Sequence, residues 1–209
     1  MKSLMQELAR LLSDLLEYPV EHPRDTLLKI QAVRVLSEPV AGGELDEALD
    51  AIRIALITLE EKYATAALSE LQVAHVDVFD LSPECSLNLT WHKYGDSPRQ
   101  GRALAGITEL YKDYGFDMIG ANLPDYLPIL LEFLGTAPDD ATRILMDGFG
   151  KELRDLATRI SETSTVYAGV GRCLTILTDG FASLGQVQYP SPGSLYNHCS
   201  KGDDPCMAG

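Results

Sequence analysis

Apolar residues recur every three or four positions along most of the chain, which is the spacing of an amphipathic helix. Strict alternation over the length of a strand hardly appears. The first stripe is preceded by Ser3, with Gln6 three residues later as a capping partner, and it stops before Pro19. Its members are Leu4, Leu8, Leu11, Leu12, Leu15 and Leu16. The pattern predicts a first helix that is capped at Ser3 and ends ahead of Pro19.

The same spacing predicts helices along the rest of the chain, with proline and glycine near their ends. The stretch from Val73 to Phe79 is rich enough in β-branched residues to pass locally for a strand. The predicted helices cover about 24–37, the stripe 45–63, the stripe 68–81, about 86–94 up to Gly95, about 98–114 after a Ser97 cap, a run that begins at Pro124, a long helix after Asp140 and a last helix over 170–184.

These stripes need one another for burial, because a single amphipathic helix cannot cover its own apolar face. The sequence therefore predicts an all-α fold, a single multi-helix globular domain of about eight to ten helices over residues 1–187. From residue 188 onward the composition changes to proline, serine, glycine and polar residues. The tail 188–209 is predicted to be disordered.

One segment combines two prolines with an acidic and an aromatic residue at the start of an apolar run. Pro124 suits the first position of a helix, whereas Pro128 is expected a turn further in, where it removes a backbone donor and bends the first turn. Asp125 would then lie near the positive end of a helix, where its carboxylate could receive hydrogen bonds from a partner. A core helix that starts at proline and has an acidic first turn is the alternative interpretation.

Charge narrows the classes of partner. The chain has 31 acidic and 17 basic residues, a formal net charge of −14, so phosphate backbones and anionic lipid surfaces would repel it. A basic peptide would be attracted, although an acidic surplus can also serve solubility alone. The sequence predicts no nucleic-acid partner.

Targeting and cysteine patterns predict a cytoplasmic protein without stable membrane insertion. The first residues lack the charged and apolar regions of a secretion signal, and no apolar stretch is long enough for a membrane span. The cysteines are far apart, which favours reduced thiols over a disulfide scaffold; they are Cys85, Cys173, Cys199 and Cys206.

Catalytic chemistry has little support in the sequence. Phosphate-binding glycine loops and the Gly-x-Ser-x-Gly elbow are missing, and the cysteines and histidines match no structural zinc spacing. The best enzymatic alternative is a small helical metal-dependent hydrolase, which would use His75, Asp77, Asp80 and His92. His75 and Asp77 would point in different directions on a helix, so structural roles are favoured. We predict no catalytic residues, no resident metal and no cofactor.

A surface for binding a peptide explains the remaining pattern better. Aromatic rings offer rigid apolar contacts, and nearby carboxylates can accept hydrogen bonds from arginine or lysine of a partner. An amphipathic helical peptide with a basic end would suit such a surface. The aromatic candidates could equally be core residues, above all Phe79 and Phe133. The predicted rings are Phe79, Trp91, Tyr94 and Tyr126, and the predicted carboxylates are Asp80, Asp96, Asp125 and Glu132.

Several uncommon segments occur in an order that resembles a known family. They are Leu15-Leu16-Glu17-Tyr18-Pro19, His75-Val76-Asp77-Val78-Phe79-Asp80, Cys85-Ser86-Leu87-Asn88-Leu89-Thr90-Trp91-His92-Lys93-Tyr94-Gly95-Asp96, Arg99-Gln100-Gly101-Arg102-Ala103-Leu104 and the two-proline run from Leu123 to Phe133. Over roughly residues 4–185 the chain resembles the NarJ-type assembly chaperones for the molybdenum cofactor of nitrate reductase, within the TorD/DmsD-like superfamily.

This resemblance implies a non-catalytic, cytoplasmic chaperone. Its partner would be the catalytic (alpha) subunit of a molybdenum oxidoreductase, bound through its N-terminal peptide and held competent for cofactor insertion and membrane assembly. Contacts with proteins that deliver the molybdenum cofactor are also implied. Respiratory nitrate reductase is the implied client, and dehydrogenases of the same superfamily are the alternative clients. Asp125, Tyr126 and Glu132 are carried over as peptide contacts, with Leu127 and Pro128 shaping them.

Overall fold

The computed structural model of this chain describes residues 2–20, 23–37 and 47–183. Within these ranges the chain forms nine α-helices and no strand, which confirms the predicted all-α class. The helices are α1 (Lys2–Leu16), α2 (Pro23–Leu36), α3 (Glu47–Thr65), α4 (Leu68–His75), α5 (Leu89–Tyr94), α6 (Pro98–Asp113), α7 (Leu127–Leu134), α8 (Asp139–Thr163) and α9 (Ala168–Ser183).

Two short irregular elements separate α4 from α5. A π-helical turn, Val76–Asp80, continues α4 directly, and a 3₁₀ turn, Pro83–Cys85, follows it. The backbone N–H of Leu81 reaches back five residues to the carbonyl of Val76 at 3.0 Å, as a π-helix requires. The β-branched stretch from Val73 to Phe79 is therefore helical, because Leu71, Val78 and their neighbours bury one face of a helix.

Helix α1 lies at the centre of the fold. It packs against α2, α7 and α9, and its whole leucine stripe is buried. Two pairs of helices complete the core, α2 with α3 and α8 with α9. The glycines of α9 allow close packing: a Cβ at Gly171 would lie 2.6 Å from the carbonyl oxygen of Ala157, and one at Gly169 would lie 2.7 Å from Leu59 Cγ.

Two predicted helix caps are wrong in their details. Ser3 lies inside α1, which already begins at Lys2, so its hydroxyl does not mark the start. Ser97 does precede α6, with extended backbone at φ −132° and ψ 157°, but its hydroxyl makes no capping bond. Gly95 ends α5 with φ +54°, the positive dihedral that is expected of a glycine there.

The expected bend at Pro128 does not form. Helix α7 starts at Leu127 rather than at Pro124, so Pro128 lies in its first turn, where a backbone N–H would have no partner within the helix. Pro124 and Asp125 belong to the turn that leads into α7, and the Tyr126 N–H donates to the Leu123 carbonyl at 3.1 Å. The start of the helix therefore shifts by one turn relative to the prediction, which removes the reason for a kink.

The predicted boundary of the helical domain at residue 187 and the tail 188–209 lie outside the described residues. The described helices share one apolar core, which runs from Leu4 to Phe181. None of these helices is long and apolar enough to span a membrane. Of the four cysteines, Cys85 and Cys173 are described, and both are buried free thiols.

Candidate functional site

Asp125 of the two-proline segment lies inside the fold. Its side chain is fully buried, and Oδ2 accepts hydrogen bonds from the backbone N–H of Thr90, at 2.9 Å, and from the Thr90 hydroxyl. Thr90 occupies the first turn of α5, whose N-terminal N–H groups have no partner within the helix. Asp125 therefore caps a different helix from the one it precedes. Its carboxylate is close to the positive end of a helix, as expected, but it is not accessible to a peptide.

Backbone contacts tie the two-proline segment to the chain before α5. The Leu127 N–H donates to the Leu87 carbonyl at 2.8 Å, and the Leu89 N–H donates to the Asp125 carbonyl at 3.1 Å. Together they form an isolated antiparallel bridge between Asn88 and Tyr126. These bonds fix the position and direction of Tyr126 at the surface.

Leu127 and Pro128 support this arrangement from below. Both are buried, and the Pro128 carbonyl accepts a hydrogen bond from the Ser13 hydroxyl of α1 at 2.8 Å. The start of α7 is therefore held against α1. Glu132, one turn further along α7, is exposed.

Tyr126 belongs to an acidic cluster, which we define as Glu17, Asp80, Tyr126 and Glu132. The half-buried Tyr126 hydroxyl interacts with the Glu17 carboxylate at the end of α1 and is close enough to Asp80 of the π-turn to be affected by its charge. Desolvation, and then the charges of Glu17 and Asp80, raise the pKa of Tyr126 to about 12. Tyr126 is therefore a neutral hydrogen-bonding group among carboxylates.

The surroundings also affect the protonation of Glu17. Desolvation by neighbouring side chains raises its pKa above the usual 4.5, and the charges of Asp14 and Glu132 add to the increase; His75 and Tyr126 oppose it. Asp14 is neutralised in part by Lys29 at 2.7 Å. Within the described ranges no lysine or arginine pairs with Glu17, Asp80 or Glu132. The cluster therefore carries unneutralised negative charge at a surface that a cation could reach.

An aromatic layer lies beneath the acidic cluster and connects α1 to the π-turn. His75 Nε2 contacts the Leu16 carbonyl at 3.1 Å, and the His75 ring packs against Tyr18 and Phe79 with centroid separations of 5.5 and 4.9 Å. Phe79 in turn packs against Tyr167 at 4.8 Å. Phe79 and Phe133 are only 7% and 1% exposed, so they are core residues in this conformation.

Three other predicted contacts, Trp91, Tyr94 and Asp96, lie on α5 and the turn after it. Trp91 is 44% exposed, Tyr94 is half-buried beside Lys93, and Asp96 is exposed. Helix α5 packs against α6 and α8, whereas the acidic cluster borders α1, α7 and the π-turn. The Asn88–Tyr126 bridge is a link between the two regions. The predicted contacts therefore divide into the acidic cluster and a neighbouring aromatic surface.

The four residues of the hydrolase alternative do not assemble a metal site. His92 Nε2 contacts the Ser86 carbonyl at 2.7 Å and Nδ1 faces Arg159 at 3.3 Å. Burial lowers the pKa of His92, and the Arg159 charge adds to this. The His75 ring is buried among aromatic rings, and no group of three potential ligands among histidine, cysteine, aspartate and glutamate is suited to a metal ion in the described part of the chain.

Sequence reasoning missed Glu17, Ser13 and Thr90 as parts of this site. Glu17 and Tyr18 belong to a segment that carries the family resemblance, but helical periodicity places them only at the end of a stripe. The spatial proximity of Glu17 to Tyr126 follows from the packing of α1 on α7. The uncommon Glu-Tyr-Pro step after a leucine stripe was the available signal.

Residues 38–165 match the protein family described as nitrate reductase delta subunit. The chain is similar to the probable nitrate reductase molybdenum cofactor assembly chaperone NarJ of Bacillus subtilis, with 29% identity over 157 residues, which is 75% of this chain and 80% of that protein.

Two further relatives are similar over different lengths. The nitrate reductase molybdenum cofactor assembly chaperone NarJ of Escherichia coli K12 is 28% identical over 162 residues, 76% of this chain and 64% of that protein. The nitrate reductase-like protein NarX of Mycobacterium tuberculosis H37Rv is 31% identical over 94 residues, 45% of this chain but only 14% of that protein.

Proposed function

Because this chain belongs to the nitrate reductase delta subunit family, we propose that it is an assembly chaperone for the catalytic subunit of a molybdenum enzyme, respiratory nitrate reductase. In this proposal it binds the N-terminal segment of that subunit in the cytoplasm. It holds the subunit competent for cofactor insertion and membrane assembly, cooperates with proteins that deliver the cofactor, and catalyses no reaction itself. The names of the similar NarJ proteins support the chaperone role.

The observation that carries the site proposal is the meeting of three distant segments at the acidic cluster. Glu17 comes from the end of α1, Asp80 from the π-turn, and Tyr126 and Glu132 from the start of α7. An exposed cluster of carboxylates without lysine or arginine partners costs stability through repulsion, so a bound cation would relieve it. We propose that a basic residue of the client segment fills this role, with the Tyr126 hydroxyl as an additional hydrogen-bonding group.

The other predicted contacts have different places in this proposal. Trp91, Tyr94 and Asp96 would contact the apolar and polar sides of the same segment beyond the Asn88–Tyr126 bridge. The remaining four predicted contacts are buried, so in this proposal they position the surface residues Tyr126, Asp80 and Glu132 and do not touch the peptide. These four are Phe79, Asp125, Leu127 and Pro128.

The direct experiment is titration calorimetry with synthetic peptides from the N-termini of molybdenum-enzyme catalytic subunits of the same organism. We expect saturable one-to-one binding of the nitrate reductase peptide and none of its scrambled version. Binding of a dehydrogenase peptide alone would assign a different client. No binding to any of these peptides would contradict the proposed function.

The acidic cluster is tested by the double variant Glu17→Gln/Glu132→Gln. We expect its affinity for the peptide to fall about tenfold, which corresponds to ~1.4 kcal/mol, because two unneutralised carboxylates facing the cation are removed. The matched control is Glu61→Gln/Glu162→Gln, which changes the net charge equally at two exposed positions elsewhere. Equal weakening by both pairs would show that only overall charge matters.

Peptide affinity should also depend on pH through Glu17. Its pKa is raised in the free protein, chiefly by desolvation, and a cation bound beside it would lower that pKa again. Binding therefore releases a proton when the pH is near the raised pKa, and affinity decreases as the pH falls from neutrality toward that value. Calorimetry in buffers of different ionisation enthalpy measures the proton release. Glu17→Gln should abolish this proton release and the pH dependence of affinity that comes with it. An unchanged pH profile in this variant would exclude Glu17 as the group that releases the proton.

A further inference from the structure

A shallow cleft of about 420 Å³ lies on the outer face of α4. The volume is within the range of about 300–1,000 Å³ that is usual for ligand sites. Its lining consists of Ser69, Glu70, Val73, Ala74, Asp77 and Val166.

Val73 gives the cleft an exposed apolar side chain. It is 61% exposed, although Leu71 and His75 on the opposite side of the same helix are 1% and 5% exposed. Helix α4 therefore already buries an apolar face in the core and presents a second apolar position outward. Ala74 and Val166 extend this apolar floor. Covering it with an apolar side chain would be favourable, because apolar surface would be removed from water.

The rim of the cleft is acidic. Asp77 is exposed and has no lysine or arginine partner among the described residues, whereas Glu70 is neutralised in part by Lys62 at 2.9 Å. An apolar floor beside an unpaired carboxylate is complementary to an apolar side chain that has lysine or arginine as a neighbour. This is the same chemistry that the acidic cluster would select.

The π-turn connects the two surfaces. Asp77 at its beginning lines the cleft, and Asp80 at its end belongs to the acidic cluster. Val73 and Asp80 are seven residues apart on one nearly continuous helix, which corresponds to about 10 Å, or about three residues of extended peptide. A single bound segment can therefore span both surfaces.

We propose that the cleft over Val73 is a second subsite for the client segment, which takes an apolar side chain next to a basic residue while the acidic cluster holds another cation. This rests on the proposed function, because the occupant is the same segment. Two subsites separated by a fixed distance would require apolar and basic residues at a matching spacing in the client. Peptides of similar charge with a different spacing would be rejected.

The test compares Val73→Lys with Leu28→Lys. Both replace an exposed aliphatic residue on a helix surface, at 61% and 65% exposure, by the same cation, so neither disturbs the core and net charge changes equally. The probes are the N-terminal nitrate reductase peptide and versions shortened from either end. The reference peptide is the shortest of these whose affinity is still lowered by the double variant Glu17→Gln/Glu132→Gln.

We expect Val73→Lys to weaken the full peptide about tenfold and to leave the reference peptide unchanged, while Leu28→Lys affects neither. Wild-type affinity of Val73→Lys for the full peptide would overturn the second subsite and leave the acidic cluster in place. Equal loss of affinity for the full peptide and the reference peptide in Val73→Lys would also overturn the second subsite. Failure of the wild-type protein to bind any client peptide would instead overturn the proposed function and this inference with it.

Discussion

Replacing Asp125 with alanine should lower the free energy of unfolding by about 2 to 3 kcal/mol. The substitution removes the carboxylate oxygen that accepts hydrogen bonds from both the N–H and the hydroxyl of Thr90, and it leaves both donors buried. It also removes the cap of α5. The unpartnered Oδ1 atom limits the loss, because burying it already costs desolvation energy in the wild-type protein. Urea denaturation followed by circular dichroism measures the change.

Two control variants, Asp125→Asn and Asp96→Ala, separate the possible causes of the lower stability. In Asp125→Asn the amide side chain would keep a carbonyl acceptor for Thr90, so we expect a loss of only about 1 kcal/mol. Asp96 is exposed, and its replacement should change stability by less than about 0.5 kcal/mol. If Asp125→Ala left stability unchanged and weakened only peptide binding, the carboxylate would be a surface contact after all, contrary to its buried position.

Replacing Gly171 with alanine should destabilise the fold by about 3 kcal/mol. An added Cβ would lie 2.6 Å from both the Ala157 carbonyl oxygen and the Ser161 N atom, which are backbone atoms of α8. A flexible side chain could move away, but the backbone of a packed helix cannot without separating α8 from α9. Since these two helices pack along much of their length, the shift would reach the core. Thermal and urea denaturation are the measurements.

The matched control is Gly101→Ala in α6. No atom lies within 4 Å of the Cβ that this change would add. Alanine should therefore stabilise the protein by about 0.5 to 1 kcal/mol through helix propensity alone. If Gly171→Ala did not destabilise the protein, the spacing of α8 and α9 would be wider than in this structure.

Local sequence patterns were sufficient to predict that these segments are helices. The leucine stripe of α1 is buried as expected, and the glycines at 169 and 171 lie within a helix rather than a nucleotide-binding loop. The limits of α1 and α7 were less well defined, because a serine or proline near a helix start fits several adjacent positions. Pro124 and Pro128 are an example: either could be the first-turn proline, and pairing of Leu127 with Leu87 accompanies a start at Leu127.

The candidate site was likewise predicted from the sequence only in part. The sequence indicated Asp80, Tyr126 and Glu132, and it carried the resemblance to assembly chaperones that the family match supports. It could not distinguish Asp125 from these residues, because a carboxylate beside a surface tyrosine and one that caps a distant helix have the same local pattern. It also left Glu17 out, since the contact with Tyr126 depends on how α1 packs against α7.

The sequence by itself therefore determined the all-α class, the approximate helices and the acidic character of the chain, since these depend on periodicity and composition. Only the tertiary structure decided which carboxylates are buried and which are exposed. Asp125 and Glu132 are seven positions apart, yet one is completely buried against Thr90 and the other lies at the surface. That difference arises from contacts between segments remote in sequence, and a pattern of neighbouring residues contains no information about them.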